Sequence, residues 1–134
     1  MIAVITCGDS KRQGVHKAKD LYVGPFFKMC LKYAQSIMPN DKIYILSAKW
    51  GLLKLDQEIE NYNVKMGDPG SVLVSTLIIQ AQELGIKDEA IIGVAGARYV
   101  SIMKKVWSEG KYPLTGLSLG YAMGALKKNM GRLP

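Results

Sequence analysis

The amino-acid sequence predicts an α/β fold, a single three-layer Rossmann-like domain with a mostly parallel sheet of about four strands flanked by helices. Short apolar runs typical of buried parallel strands alternate with longer segments whose apolar residues repeat at helical spacing. The chain has 134 residues, of which 49% are hydrophobic and 22% are charged, which is enough for one hydrophobic core. No internal repeat, low-complexity tract or linker interrupts it, so residues 1–134 are predicted to form one domain.

The predicted elements alternate along the chain. The strands are predicted at residues 2–6, 42–47 and 90–94. The helices are predicted at residues 16–22 (a short segment), 27–38, 73–84, 99–107 and 121–128. Ser71 is the expected N-cap of the third of these helices and Gly85 ends it. Residues 114–119 are predicted as a weaker fourth strand or a loop, and residues 48–68 as irregular chain.

Composition and charge exclude several classes of protein. Residues 1–7 lack a signal-peptide pattern and no apolar run is long enough to span a bilayer, so a cytoplasmic location without a membrane partner is expected. Two cysteines and one histidine are too few for a zinc site of the usual kind, and no metal or cofactor is predicted. The net charge is +7, with six basic residues and one acidic residue after position 99, which is compatible with a polyanionic partner or simply with a solvated surface.

The loops that follow the three predicted strands are the expected ligand site, because open α/β sheets bind ligands beyond the carboxyl ends of their strands. Each loop combines small residues with a hydroxyl group or a cation. Glycine lets a ligand approach the backbone, whose N–H groups bind anions, and a nearby cation neutralises the anion. The predicted phosphate- and base-binding residues are Cys7, Gly8, Ser10, Lys11, Tyr22, Lys49, Trp50, Gly96 and Arg98.

The best candidates for chemistry are the acidic residues that follow the second strand, Asp56 and Glu60. Cleavage of an N-glycosidic bond builds positive charge on the sugar, and a carboxylate stabilises that charge or activates the attacking water. Ser47 and Tyr62 are predicted to orient the substrate by hydrogen bonds. The structural alternative is that one of these acids only forms an ion pair with Lys49 or Arg98.

Two further side chains have competing interpretations. Cys7 is a candidate nucleophile, but it needs a base, and His16 is not expected to lie nearby. Trp50 follows a strand end and precedes a glycine, so stacking on a base is possible, although burial in the core is the favoured interpretation. Cys30 and Trp107 fall on apolar helical stripes and are expected to lie in the core.

The middle of the chain resembles the core motif of the YaaA-like proteins. Residues 45–53 read ILSAKWGLL, Asp56 follows, and residues 59–66 read IENYNVKM. The small bacterial and phage branch formed by this domain alone is also similar at CGxxK (residues 7–11), LY (21–22), GARY (96–99) and PL with Gly116 (113–116). The resemblance implies peroxide stress, DNA binding, or enzymes that handle modified bases.

Three functional hypotheses follow. The first is a nucleobase- or nucleotide-processing enzyme, specifically an N-glycosidase acting on a modified base in DNA or in a nucleoside. The second is a non-catalytic DNA-binding stress-response module with a basic C-terminal face, formed by Lys104, Lys105, Lys127, Lys128 and Arg132. The third is a nucleotide sensor that uses the same strand-end pocket without chemistry.

Overall fold

The computed structural model describes residues 1–115 and 119–131. The strands are β1 (Ile2–Thr6), β2 (Val15–Lys17), β3 (Ile43–Ser47), β4 (Gly51–Lys54), β5 (Glu58–Glu60) and β6 (Ile91–Val94). The α-helices are α1 (Ala18–Leu21), α2 (Pro25–Ile37), α3 (Val74–Glu83), α4 (Ala97–Val106) and α5 (Leu119–Gly131). A 3-10 turn covers Asn40–Lys42. The structure is therefore a mixed α/β fold, as the sequence predicts.

The main sheet has four strands in the order β4-β3-β1-β6. β1 pairs in parallel with β3 on one side and with β6 on the other, whereas β4 pairs antiparallel with β3. A separate two-stranded sheet joins β2 to β5. Every residue of β1 and β3 is buried, as expected for central strands of a mostly parallel sheet.

The helices form where the local sequence allows them to begin and end. α2 begins with Pro25 in its first turn, where the missing N–H costs no hydrogen bond, and it ends before Pro39, which disfavours helical backbone at Met38. It buries Phe27, Cys30 and Ala34, which lie on one face of the helix. α2 packs against β1 and α5, whereas α3 packs against α4 and β4.

Three segments differ from the sequence prediction. Residues 16–17, predicted as the start of a short helix, belong to β2, and the helix α1 begins only at Ala18. Residues 48–68, predicted as irregular chain, contain both β4 and β5. β5 has only three residues, and β4 opens with a glycine, so neither shows a recognisable strand pattern. The fourth strand of the sheet is therefore β4 and not residues 114–119: residues 113–115 form a turn, residues 116–118 lie outside the described chain, and Leu119 begins α5.

The predicted N-cap of α3 is also wrong. The helix begins at Val74 with Leu73 at the N-cap position and no capping side chain. Ser71 lies in the preceding turn, where its hydroxyl accepts a hydrogen bond from the Gly67 backbone N–H at 3.3 Å. Serine competes for backbone donors in turns as well as at helix ends, which explains why the residue type alone misplaces the boundary.

The exposed edge of β4 is covered by the side-chain amide of Gln80 from α3. Its oxygen accepts from the Leu52 backbone N–H at 2.9 Å, and its nitrogen donates to the Trp50 carbonyl at 3.1 Å. Gly51 lies between these residues with φ +77°, and a Cβ there would overlap the Gln80 amide. Both the backbone conformation and the space require glycine at this position.

In the described part of the chain, no helix is both long and apolar enough to cross a membrane. The core consists of one cluster of buried side chains that includes all of β1 except Thr6, all of β3 except Ser47, and the inner faces of the helices. Cys30 and Trp107 belong to this cluster, as predicted, and the Trp107 indole N–H donates to the Ile86 carbonyl at 3.0 Å.

Replacing Gly51 by alanine is expected to lower the free energy of unfolding by about 3 kcal/mol, from backbone strain and loss of the Gln80 hydrogen bonds. Gly85→Ala is the matched control, because Gly85 also has positive φ (+72°) but open space around it. The control is expected to lose only about 1 kcal/mol. Urea unfolding measures both, and equal losses would contradict the role of Gln80.

Candidate functional site

A cleft of about 400 Å³ lies at the carboxyl ends of β1 and β6. The chain leaves β1 towards β3 on one side and later returns to β6 on the other side, so these strands flank the point where the strand order reverses. Ligands of open α/β sheets bind at such a point. The lining comes from the loop after β1 (residues 7–10), the start of α2 (residues 24–27), and Gly96 and Tyr99 at the start of α4.

Cys7 and Tyr99 join the two sides of the cleft. The Cys7 thiol lies 3.1 Å from the Tyr99 hydroxyl, and Cys7 is buried at the end of its strand. Burial raises the pKa of the Tyr99 phenol, and the neighbouring Cys7 and Asp9 raise it further. Tyr99 is therefore protonated at neutral pH, with a hydroxyl able to donate a hydrogen bond in the cleft.

Behind the cleft, three buried hydroxyl groups form a chain of hydrogen bonds. Ser47 Oγ donates to the Tyr62 hydroxyl at 2.9 Å, and the Tyr62 and Tyr22 hydroxyls are 2.6 Å apart. Ser47 Oγ also accepts from the backbone N–H groups of Lys49 and Trp50 at 3.2 and 3.0 Å. Burial, followed by the proximity of Cys7, raises the pKa of both Tyr22 and Tyr62.

This hydroxyl chain positions the loop that carries the cleft residues. Tyr22 lies in a segment that pairs with the loop after β1: its backbone bridges to Lys11, and the Val23 N–H donates to the Ser10 carbonyl at 2.9 Å. The Tyr22 ring packs on Phe27, with centroids 5.1 Å apart. Ser47, Tyr62 and Tyr22 are thus engaged with one another, and their observed role is to hold this loop in place.

The structure does not bring Asp56 and Glu60 into the cleft. Asp56 forms an ion pair with Lys19 at 3.4 Å, and its side chain is 71% exposed. Asp56 therefore does form an ion pair, but its partner is Lys19 and not Lys49 or Arg98, as the structural alternative predicted. Glu60 is exposed on β5 and borders a separate open hollow next to Tyr62 and Gln13.

The three predicted strand-end cations have separate local partners. Lys11 Nζ donates to the Asp9 carbonyl at 3.1 Å and lies 4.7 Å from the centre of the Tyr62 ring. Lys49 Nζ lies 4.7 Å from the centre of the Trp50 ring. Arg98 donates to the Met66 carbonyl at 3.4 Å.

Other predicted side chains also have clear positions. Trp50 is 39% exposed, so the favoured core interpretation of this residue is wrong. His16 bonds through Nε2 to the Gln13 carbonyl at 2.8 Å, so that nitrogen is engaged away from the Cys7 thiol. Within residues 1–115 and 119–131, no group of three or more potential metal ligands comes together.

The predicted basic face is divided between helices. Lys104 and Lys105 are exposed on α4, which packs against α3, whereas Lys127 and Lys128 are exposed on α5, which packs against α2. Arg132 lies outside the described residues. The two pairs of lysines therefore lie on different pairs of packed helices, Lys104 and Lys105 on α3–α4 and Lys127 and Lys128 on α2–α5.

The cleft residues that the sequence prediction does not include are Thr6, Asp9, the α2 residues 24–27, Tyr99 and Met123. Asp9 and Tyr99 supply its carboxylate and its phenol. Asp9 lies between Gly8 and Ser10, in the loop that was predicted to bind ligand, and its position after a strand was the available signal. Tyr99 falls on the apolar stripe of its helix, so its periodicity alone indicates a core residue. Its place one turn after a strand end is the feature that separates it from the rest of the stripe.

The chain is similar to a known protein family and to a bacterial relative. The sequence model of a protein family of unknown function, DUF6884, matches residues 2–128. The chain is also similar to the uncharacterized protein YfjM of Bacillus subtilis (strain 168), with 31% identity over 141 aligned positions. That alignment covers 95% of this chain and 93% of the relative. The matched range of the family includes every residue that lines the cleft.

Burial raises the pKa of Tyr22, Tyr62 and Tyr99, and it raises the pKa of the Cys30 thiol to about 12. These shifts predict a loss of stability in alkali. A group with a raised folded pKa stabilises the fold below its unfolded pKa, and this contribution is lost as pH rises. Unfolded cysteine and tyrosine ionise near pH 8.5 and pH 10, respectively. The free energy of unfolding is therefore expected to fall above about pH 8.5, and more steeply above about pH 10.

Urea unfolding at a series of pH values measures this effect. Tyr62→Phe is expected to make the slope above pH 10 shallower by about 1.4 kcal/mol per pH unit, because one buried phenol no longer ionises on unfolding. Tyr121→Phe is the control, since this ring is 77% exposed on α5. A Tyr62→Phe slope equal to that of the wild type would show that Tyr62 ionises without unfolding.

Proposed function

The chain belongs to the DUF6884 family, and we propose that it binds a nucleoside or nucleotide in the cleft between β1 and β6 and cleaves the N-glycosidic bond. The observation that carries the proposal is the cleft itself. It lies where the strand order reverses and combines glycines, a carboxylate and a partly buried phenol in about 400 Å³. Clefts of this size and position are typical of small-molecule sites in α/β proteins.

The cleft has separate surfaces for phosphate and base. Gly8, Gly24 and Gly96 present backbone to it, and the last two are the N-caps of α2 and α4. Neither helix has a capping side chain, so N–H groups of both first turns are available to an anion. Phe26 and Met123 supply apolar surface for the flat face of a base.

Asp9 is the carboxylate that we assign to the reaction. It is exposed at the cleft, so it remains accessible to water and to the sugar. In hydrolysis, water attacks the sugar carbon, the bond to the base nitrogen breaks, and the base leaves with a proton. Asp9 would take the proton of the water or stabilise positive charge on the sugar, while Tyr99 donates a hydrogen bond to the leaving base.

The roles that the sequence suggests for Asp56 and Glu60 remain predictions. The resemblance of residues 45–66 to the YaaA-like proteins also remains a prediction. It supports the handling of modified bases as the reaction type more than it supports particular catalytic residues. For the fold, we propose the three-layer Rossmann-like arrangement, with α2 and α5 on one face and α3 and α4 on the other. The pairing of these helices and the right-handed rule for parallel crossovers support it. A cytoplasmic location is part of the same proposal.

A second candidate is the non-catalytic DNA-binding module. The observation that favours it is the exposure of Lys104, Lys105, Lys127 and Lys128. Binding through these lysines would be sequence-independent and would weaken steeply as salt concentration rises. A nucleotide sensor without chemistry would use the cleft but release no base.

The enzyme proposal is tested with nucleosides, nucleotides and modified bases, on the wild type, Asp9→Asn and Asp56→Asn. A ligand of the cleft is expected to raise the melting temperature of all three proteins by mass action. Free base, measured by chromatography, is expected from the wild type and Asp56→Asn. Asp9→Asn is expected to release it at least about 100-fold more slowly.

The outcomes separate the alternatives. Stabilisation without base release in any protein would support the sensor. If Asp56→Asn released no free base while Asp9→Asn released it normally, the catalytic carboxylate would be Asp56, in the acidic segment after β4, and not Asp9. No stabilisation by any of these ligands would contradict the proposed use of the cleft.

A further inference from the structure

A second concave surface, of about 420 Å³, adjoins the cleft and shares the Phe27 side chain with it. It lies between the segment of residues 12–23 and α2, and we call it the α2 groove. Tyr22 and Phe27, each 1% exposed, lie beneath it, and the partly buried Leu31 adds apolar surface. Neither the hydroxyl chain nor the reaction proposed above uses its charged side chains.

The α2 groove is strongly cationic. Its lining includes four basic side chains, Arg12, Lys19, Lys28 and Lys32, and one acidic side chain, Asp20. Lys19 already has an ion pair with Asp56 outside the groove. In the part of the chain that the structure describes, Lys28, Lys32 and Arg12 form no ion pair, and all three are exposed.

This charge is not balanced within α2 itself. Lys28 and Lys32 are four residues apart, so they lie on one face of the helix, about 6 Å apart along its axis. Like charges at this spacing destabilise a helix, and α2 contains no acidic residue to offset them. Gln35 continues the same face with a neutral donor and acceptor. The pattern suits a ligand with repeated negative charges and polar groups between them.

We propose that the α2 groove binds the phosphates of a single-stranded nucleic acid whose target nucleotide lies in the cleft. This inference rests on the proposed function and names its substrate class as a polynucleotide. The two surfaces lie side by side along the first turns of α2, because residues 24–27 line the cleft and residues 27–32 line the groove. A cationic groove that follows the backbone beside a base pocket is a usual design of single-strand sites.

A single strand fits better than a duplex because the base must enter the cleft. In a duplex, the base would first have to unpair and leave the stack, which costs a few kcal/mol, whereas a single strand presents it directly. Arg12, with its Nε engaged by the Asp20 carbonyl at 3.0 Å, keeps its terminal nitrogens for phosphate.

The test is fluorescence anisotropy with a labelled single-stranded DNA and with the matching duplex, over a range of salt concentrations. The variant is Lys28→Glu/Lys32→Glu, and the matched control is Lys104→Glu/Lys105→Glu, which removes two exposed lysines from α4. The groove variant is expected to bind the single strand at least about tenfold more weakly than the control. Its plot of log affinity against log salt is expected to be shallower by about 1.4, from two lost phosphate contacts.

Lys28→Gln/Lys32→Gln provides a second variant without charge reversal, and melting temperatures show that each protein is folded. Equal weakening by the groove and control variants, or tighter binding of the duplex than of the single strand, would overturn the proposal. Nucleoside binding to the cleft is measured separately by thermal shift. If nucleosides stabilise both variants but the groove variant still binds the strand normally, the groove proposal fails while the cleft proposal stands.

Discussion

The structure depends on the central position of β1, which pairs in parallel with β3 on one side and β6 on the other. A strand in this position is covered by other parts of the chain along its whole length, so its side chains must be apolar or bonded internally. Thr6, its last residue, meets this requirement by donating its hydroxyl to the Cys7 carbonyl at 2.8 Å. Polar groups that face a ligand are therefore first available after the strand ends, at Cys7 and Asp9.

The hydroxyl chain behind the cleft holds the loop after β1, and therefore the cleft residues, in a defined position. Ser47 lies at the end of β3 and Tyr62 just after β5, so their hydrogen bond joins the two sheets. Tyr22 extends the chain to the segment that pairs with the loop after β1. Within the described residues no buried side-chain polar atom lacks a partner, so breaking this chain leaves a buried hydroxyl unsatisfied. The polar residues that the sequence predicts for substrate binding thus position the loop that lines the cleft.

The sequence predicts the central strands and the long helices well, and it predicts the short strands in the segments between them poorly. β1, β3 and β6 are continuous apolar runs, and their burial is the reason that they are recognisable. β4 is missed because its strand begins at a left-handed glycine held by a glutamine from another element, a contact that no local pattern reveals. The location of the site after β1 and β6 follows from topology, whereas the exclusion of Asp56 depends on its ion pair with Lys19. Long-range contacts of this kind, between residues 37 positions apart, cannot be read from spacing.

Ligand binding between the ends of β1 and β6 is tested most directly by mapping backbone amide chemical shifts by NMR. The protein, labelled with nitrogen-15, is titrated with a nucleotide that stabilises it. If the ligand binds there, the amide signals of residues 8–10 and 96–99 shift together and saturate with a single affinity. Shifts confined to the lysines of α4 and α5, with the strand-end amides unchanged, would contradict it.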